Sequence, residues 1–125
     1  MINIDSRSSK PIYEQVVDGV KENIIKGILQ PGDKLPSVRE LSAMLTTNPN
    51  TISKAYKELE RQKAIETIKG KGTYVASDYK PKIDEDKLEI LKKKIKEILI
   101  EAHYMGLGKG EIIELLEKIH RELKE

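Results

Sequence analysis

Three residues, Thr46, Thr47 and Asn48, are all that separate two amphipathic stretches, and that short join restricts the fold more than any other feature of the chain. Upstream, Ser37-Val-Arg-Glu40 matches a capping box, in which the serine hydroxyl and the glutamate carboxylate satisfy each other's free amides. It predicts a short helix with Val38, Leu41 and Leu45 on its inner face. Downstream, Asn48 reads as an N-cap and Pro49 as the first helical residue, where a missing N–H costs nothing. Ile52, Ala55, Tyr56 and Leu59 then fall on the buried side. Two such helices joined so tightly must cross steeply, which is the helix-turn-helix geometry. Thr46 stands where that turn usually has glycine.

The flanks extend the pattern. Apolar residues at Ile12, Val16, Val20, Ile24 and Ile28 repeat at helical spacing behind a polar arm, with Pro11 at the first helical position and a fade near Gly27. Pro31-Gly32 reads as a turn, and Leu35, preceding Pro36, is biased towards extended backbone. Beyond the second short helix, Ile65–Lys69 and Thr73–Ala76 are β-prone runs around Gly70-Lys71-Gly72, which predicts a hairpin. A helix-turn-helix followed directly by a hairpin is the winged variant. The predicted class is therefore α+β, mostly helical: a winged helix-turn-helix over residues 1–76, a linker over 77–84 containing Tyr79, and a helical tail over 85–125.

In the tail, Leu88, Leu91, Ile95, Ile98, Ala102 and Met105 alternate spacings of 3 and 4, a heptad seam held for nearly three repeats, with Leu99 widening the stripe. Gly106-Leu-Gly-Lys-Gly110 breaks the helix, and Ile112, Leu115, Leu116 and Ile119 define a second amphipathic one. Two helices this apolar cannot cover each other completely. They either pack on the N-terminal domain or bury the surface in a second chain, and self-association is the preferred expectation.

Composition narrows the function classes. Charged residues make up 35% of the 125, and no apolar run approaches the roughly 18–20 residues that cross a bilayer. Nothing in MINIDSRSSK has the apolar stretch of a signal peptide, so the cytoplasm is the expected address and no membrane partner is expected. Without cysteine there is no thiolate nucleophile and no cysteine zinc site. His103 and His120 sit on tail helices with no acid or nucleophile cluster around them, and Gly-Lys-Gly lacks the context of a phosphate-binding P-loop. Neither an enzyme, a metal site nor a cofactor is expected. Residues 37–71 carry 7 basic side chains against 4 acidic, a modest excess that suits a phosphate-facing surface or an ordinary solvated one.

Pro11-Ile-Tyr-Glu-Gln15, GILQPGDKLPSVREL at 27–41, NPNTISKAYKELE at 48–60 and GKGTYV at 70–75 together resemble the GntR family of bacterial transcription regulators, in its short-tailed YtrA-type branch. The resemblance implies a homodimer that binds a palindromic double-stranded DNA operator and represses its own operon, in this branch one encoding a membrane transport system. It names no small-molecule effector. Better-known members place arginines where this chain has Pro49 and Ser53, so their base contacts do not carry over; Arg39 does match a family arginine.

A recognition helix of this kind lies in the major groove with its N-terminal turn towards the base edges. That turn offers Asn48, Asn50, Thr51, Ser53 and Lys54. Asn50 can pair bidentately with adenine, Thr51 can meet a thymine methyl or a phosphate, and Asn48 either caps or reads. Arg39 can clamp a phosphate or a guanine edge, or pair with Glu40 or Glu58; Ser37 caps and can also reach a phosphate. At the wing, Gly70 and Gly72 serve a tight turn or a close approach to the minor groove, with Lys69 and Lys71 supplying charge. Two other classes compete: a winged-helix protein-interaction module, which would expose aromatic or aliphatic anchors on that turn, and an architectural DNA binder without sequence preference.

Overall fold

The computed structural model describes residues 2–78 and 80–124; Tyr79 of the predicted linker and the two terminal residues lie outside them. The chain divides into two compact units, Met1–Tyr79 and Lys80–Glu125. The first contains α1 (Ile12–Ile25), α2 (Val38–Leu45), α3 (Pro49–Arg61), β1 (Ile65–Ile68) and β2 (Gly72–Val75). The second contains α4 (Glu85–Tyr104) and α5 (Lys109–Lys124). The predicted mostly helical α+β winged helix-turn-helix with two tail helices is the architecture observed.

In the first unit α3 is the central element, packed against α1, α2 and β1. Its Ile52, Ala55, Tyr56 and Leu59 are all buried, as their spacing predicts, and meet Val16, Val17 and Val20 of α1, Leu41 of α2, and Ile65 and Val75 of the hairpin in one core. Each large side chain so buried contributes about 1.5–3 kcal/mol. The interlock makes the recognition helix a rigid element of the domain.

Several local expectations need correction. Pro11 caps α1 with extended ψ, and the helix begins one residue later. Ile28 lies outside α1 and is exposed, because the helix stops at Ile25 and Gly27 turns the chain with φ +77°. Leu29 takes the buried place beyond that turn. Its amide donates to the carbonyl of Asn23, a buried polar residue whose Nδ2 donates to the Gly19 carbonyl at 2.8 Å.

The arm before α1 is also not simply polar. Ile2 is buried in the core cluster and Ile4 packs against it. A Cβ on Gly19 would come within 3.0 Å of the Ile2 side chain, so the missing side chain makes the seat for the arm. Gln15 clamps the arm's backbone, accepting from the Asp5 amide at 2.8 Å and donating to the Asp5 and Lys10 carbonyls.

The hairpin pairs Ile65 with Val75 and Ile68 with Gly72, so Gly72 opens β2 rather than ending the loop. A third extended segment flanks it: Lys34 bridges Tyr74, the Leu35 amide donates to the Thr73 carbonyl, and the Val75 amide donates to the Asp33 carbonyl, each at 2.8 Å.

In the second unit Asp84 caps α4, accepting from the amides of Asp86 and Lys87. α4 closes at Gly106, whose φ of +87° lets the Leu107 amide return to the Ala102 carbonyl. Met105 is thus the C-cap of α4, exposed and one residue past the helix, and Gly110 lies within α5 rather than in the break. The Glu111 carboxylate accepts from the Gly108 amide and secures the start of α5.

Candidate nucleic-acid interface

The turn between α2 and α3 is built from its own polar residues. Ser37 accepts from the Glu40 amide at 3.1 Å while Glu40 accepts from the Ser37 amide at 3.2 Å, so the predicted capping box is complete. That reciprocal bond and the ammonium of nearby Lys34 hold the Glu40 carboxyl below its ordinary range. Thr46 takes the left-handed conformation, φ +50° and ψ +51°, in the place where such turns usually have glycine. Ser42, buried and unremarked in the sequence, donates its hydroxyl to the Thr47 carbonyl and pins the turn from inside.

Asn48 caps α3 as predicted, its side-chain oxygen accepting from the Asn50 amide at 2.8 Å. Asn50 is exposed, and its own side chain makes no hydrogen bond among the described residues. Thr51 and Ser53 are half-buried rather than fully exposed. Lys54 is exposed but steered: its ammonium lies 4.0 Å above the ring of Tyr13 on α1, an attraction to the negative face of the ring. Nothing in the local spacing announces that contact, which joins residues far apart in the chain.

Arg39 stands exposed on the first turn of α2. Neither of the ion pairs considered for it forms. Glu40 is engaged in the capping box, and Glu58 is held by Arg61 at 2.5 and 2.9 Å and by Gln62 at 2.8 Å. Those donors pull the Glu58 carboxyl down to about 2. Arg61 is therefore taken up within α3, while Arg39 has no acidic partner among the described residues. Tyr56 is core, as expected; its hydroxyl donates to the Pro36 carbonyl at 2.6 Å, and burial, with the nearby Glu40 charge, pushes it up to about 12.

At the wing tip the Lys71 amide donates to the Ile68 carbonyl at 2.9 Å, closing a turn whose third residue, Gly70, has φ +78°. Only glycine adopts that geometry without strain. Lys69 and Lys71 are exposed on either side of it. Tyr74 donates its hydroxyl to the Lys71 carbonyl at 3.1 Å and braces the tip. Lys34, missed in the sequence because it precedes any recognisable strand, lies against Gly72: a Cβ there would sit 3.1 Å from its Cε.

Among the described residues, no group of three or more His, Asp or Glu side chains is placed to hold a metal ion, and no helix is long and apolar enough to cross a membrane. Residues 12–75, from the start of α1 to the end of β2, match the family model described as bacterial regulatory proteins, gntR family. The chain belongs to the GntR family. It is a helix-turn-helix transcription regulator, and its family relatives are named as regulators rather than enzymes.

Within this family it is 51% identical over 125 residues to the HTH-type transcriptional repressor YtrA of Bacillus subtilis, a match spanning 100% of this chain and 91% of that protein. The short tail is thus shared, and the chain is a YtrA-type member. A crystal structure of a protein named a transcriptional antiterminator from Listeria monocytogenes EGD-e has a TM-score of 0.89 and 41% identity, covering 98% of this chain and 92% of that one. The DNA-binding domain of AraR, solved in complex with its operator ORR3, matches with a TM-score of 0.53 and 31% identity over 59% of this chain and 89% of that one.

Proposed function

We propose that this regulator is a cytoplasmic homodimeric repressor that grips a palindromic double-stranded DNA operator, with the first turn of α3 in the major groove and the wing beside the adjacent minor groove. The observation that carries the reading is the state of that first turn. Asn50 is exposed with its side-chain amide uncommitted, and on the first turn of α2 the exposed Arg39 guanidinium has no carboxylate partner among the described residues. Asn50 suits adenine, Arg39 a phosphate or guanine edge, and Thr51 a thymine methyl. Asn48 and Ser37 contribute mainly by capping, Ser53 and Lys54 line the flank, and Lys69, Gly70, Lys71 and Gly72 form the wing contact. No aromatic or long aliphatic side chain stands on the turn to anchor a protein partner. AraR's bound operator supports the same use of the fold.

The tail supplies the second copy. On α4, Leu91 is 51% and Ile98 58% exposed, with Ile95 and Leu99 exposed beside them, and on α5 Leu115, Leu116 and Ile119 are exposed. Leu88 and Ile112 are half-buried and Ala102 is buried within the single chain. Apolar surface of this extent calls for a cover, and a second tail fits it. By analogy with its branch, the operon controlled is its own and encodes a transport system.

Selection of bound duplexes from random DNA tests the reading directly. The expected result is an enriched inverted repeat, with Asn50→Ala relaxing the preference at one position in each half-site. Failure of any palindrome to emerge would overturn it.

A further inference from the structure

We propose that Lys34 is a third phosphate-binding cation of the wing, carried to its tip by the strand segment Asp33-Lys34-Leu35. The inference rests on the DNA-binding reading above and adds a residue to it. Two hydrogen bonds fix the register of this segment on β2, from the Leu35 amide to Thr73 and from the Val75 amide to Asp33, both 2.8 Å. Side chains alternate along an extended chain, and residues opposite each other across a ladder share a face. Leu35 is buried with Val75 on the core side. Lys34, opposite Tyr74, therefore stands on the outer face, which also holds Gly72, two residues along β2.

The glycine gives the lysine its path. With no side chain at Gly72, the Lys34 stem crosses the strand there, its Cε 3.1 Å and its Nζ 3.7 Å from where a Cβ would be. Gly72 adjoins Lys71, and the Tyr74 ring, 3.9 Å from the same point, extends alongside to hydrogen-bond the Lys71 carbonyl. The ammonium is thus aimed at the tip already flanked by Lys69 and Lys71.

Its charge is felt by the Glu40 carboxyl, but the two form no ion pair. Among the described residues no carboxylate lies within ion-pair distance of Lys34. Glu66, the acidic residue on the same face, is paired with Tyr74 on the side away from Lys34, and Glu40 is committed to the capping box. Lys34 over Gly72 and the exposed Lys69 and Lys71 beside it make the tip a locally positive surface, which an entering anion neutralises. A DNA phosphate supplies that anion. An ammonium beside a backbone turn acts as a point charge on phosphate rather than a reader of bases.

The test is the salt dependence of binding. The full chain is titrated into a fluorescein-labelled duplex of mixed sequence, by anisotropy, from about 50 to about 200 mM KCl. Each phosphate contact adds about 0.9 to the slope of log K against log salt. Lys34→Ala is expected to make that slope shallower by about 0.9 per Lys34 engaged, and Lys34→Arg to keep it. A purely structural role over Gly72 would move the thermal midpoint of the variant and leave the slope where it was. A wild-type protein that binds steeply while Lys34→Ala keeps the full slope overturns this inference alone; a wild-type protein that binds no duplex overturns the DNA-binding reading with it.

Discussion

Thr46 holds a β-branched side chain in left-handed backbone, with φ +50°, in the turn between α2 and α3. Such a conformation costs a non-glycine residue roughly 1–2 kcal/mol, while glycine there loses about 0.4–1 kcal/mol through its freer unfolded chain. Thr46→Gly is therefore expected to raise stability by roughly 0.5–1 kcal/mol, seen as a higher urea midpoint with an unchanged m-value. An unchanged or lower midpoint would show that the turn carries no strain. At this scale the sequence was legible wherever a side chain acts on its neighbours. Ser37, Glu40, Asn48 and Pro49 declare their roles within four residues of themselves. Lys54 over Tyr13 and Ile2 against Gly19 do not, because each contact joins segments that only the folded chain brings together.

Among the elements, α3 carries its own electrostatic lock. Arg61 and Gln62 fold back on Glu58 and depress its carboxyl from 4.5 to about 2. A carboxyl lowered on folding stabilises the native state above its unfolded value, and that contribution is lost as pH falls through the folded one. The thermal midpoint of the wild type should thus fall between about pH 5 and about pH 2 more steeply than that of Glu58→Gln, the two converging at the acid end. Parallel curves would refute the lock. The hairpin and the helices were readable from periodicity and turn chemistry; the segment at 33–35 was not. It is a single bridged residue between Pro31-Gly32 and Pro36, and its partner lies in β2, forty positions along, so no local alternation marks it as a strand.

For the molecule as a whole, the tail helices leave apolar seams uncovered, and the proposed dimer predicts how they behave. Sedimentation should show a dimer that the double change Leu91→Asp and Ile98→Asp converts to a monomer; a persistent dimer would refute the tail assignment. Thermal stability of the wild type should also rise with protein concentration, as it does when association and folding are linked. The heptad spacing marked the exposed apolar stripe of α4 in the sequence, while the C-cap place of Met105 and the interior place of Gly110 depended on where the chain chose to turn at Gly106. The hydroxyl of Tyr56 has a consequence at this scale as well. It ties α3 to Pro36, next in the chain to the Leu35 that is laddered onto β2, so in the proposed complex the helix in the groove and the wing form a calliper of fixed gauge. A calliper does not adjust to what it measures. The duplex must then supply the adjustment, so base pairs that no side chain touches will count through how readily they bend and narrow.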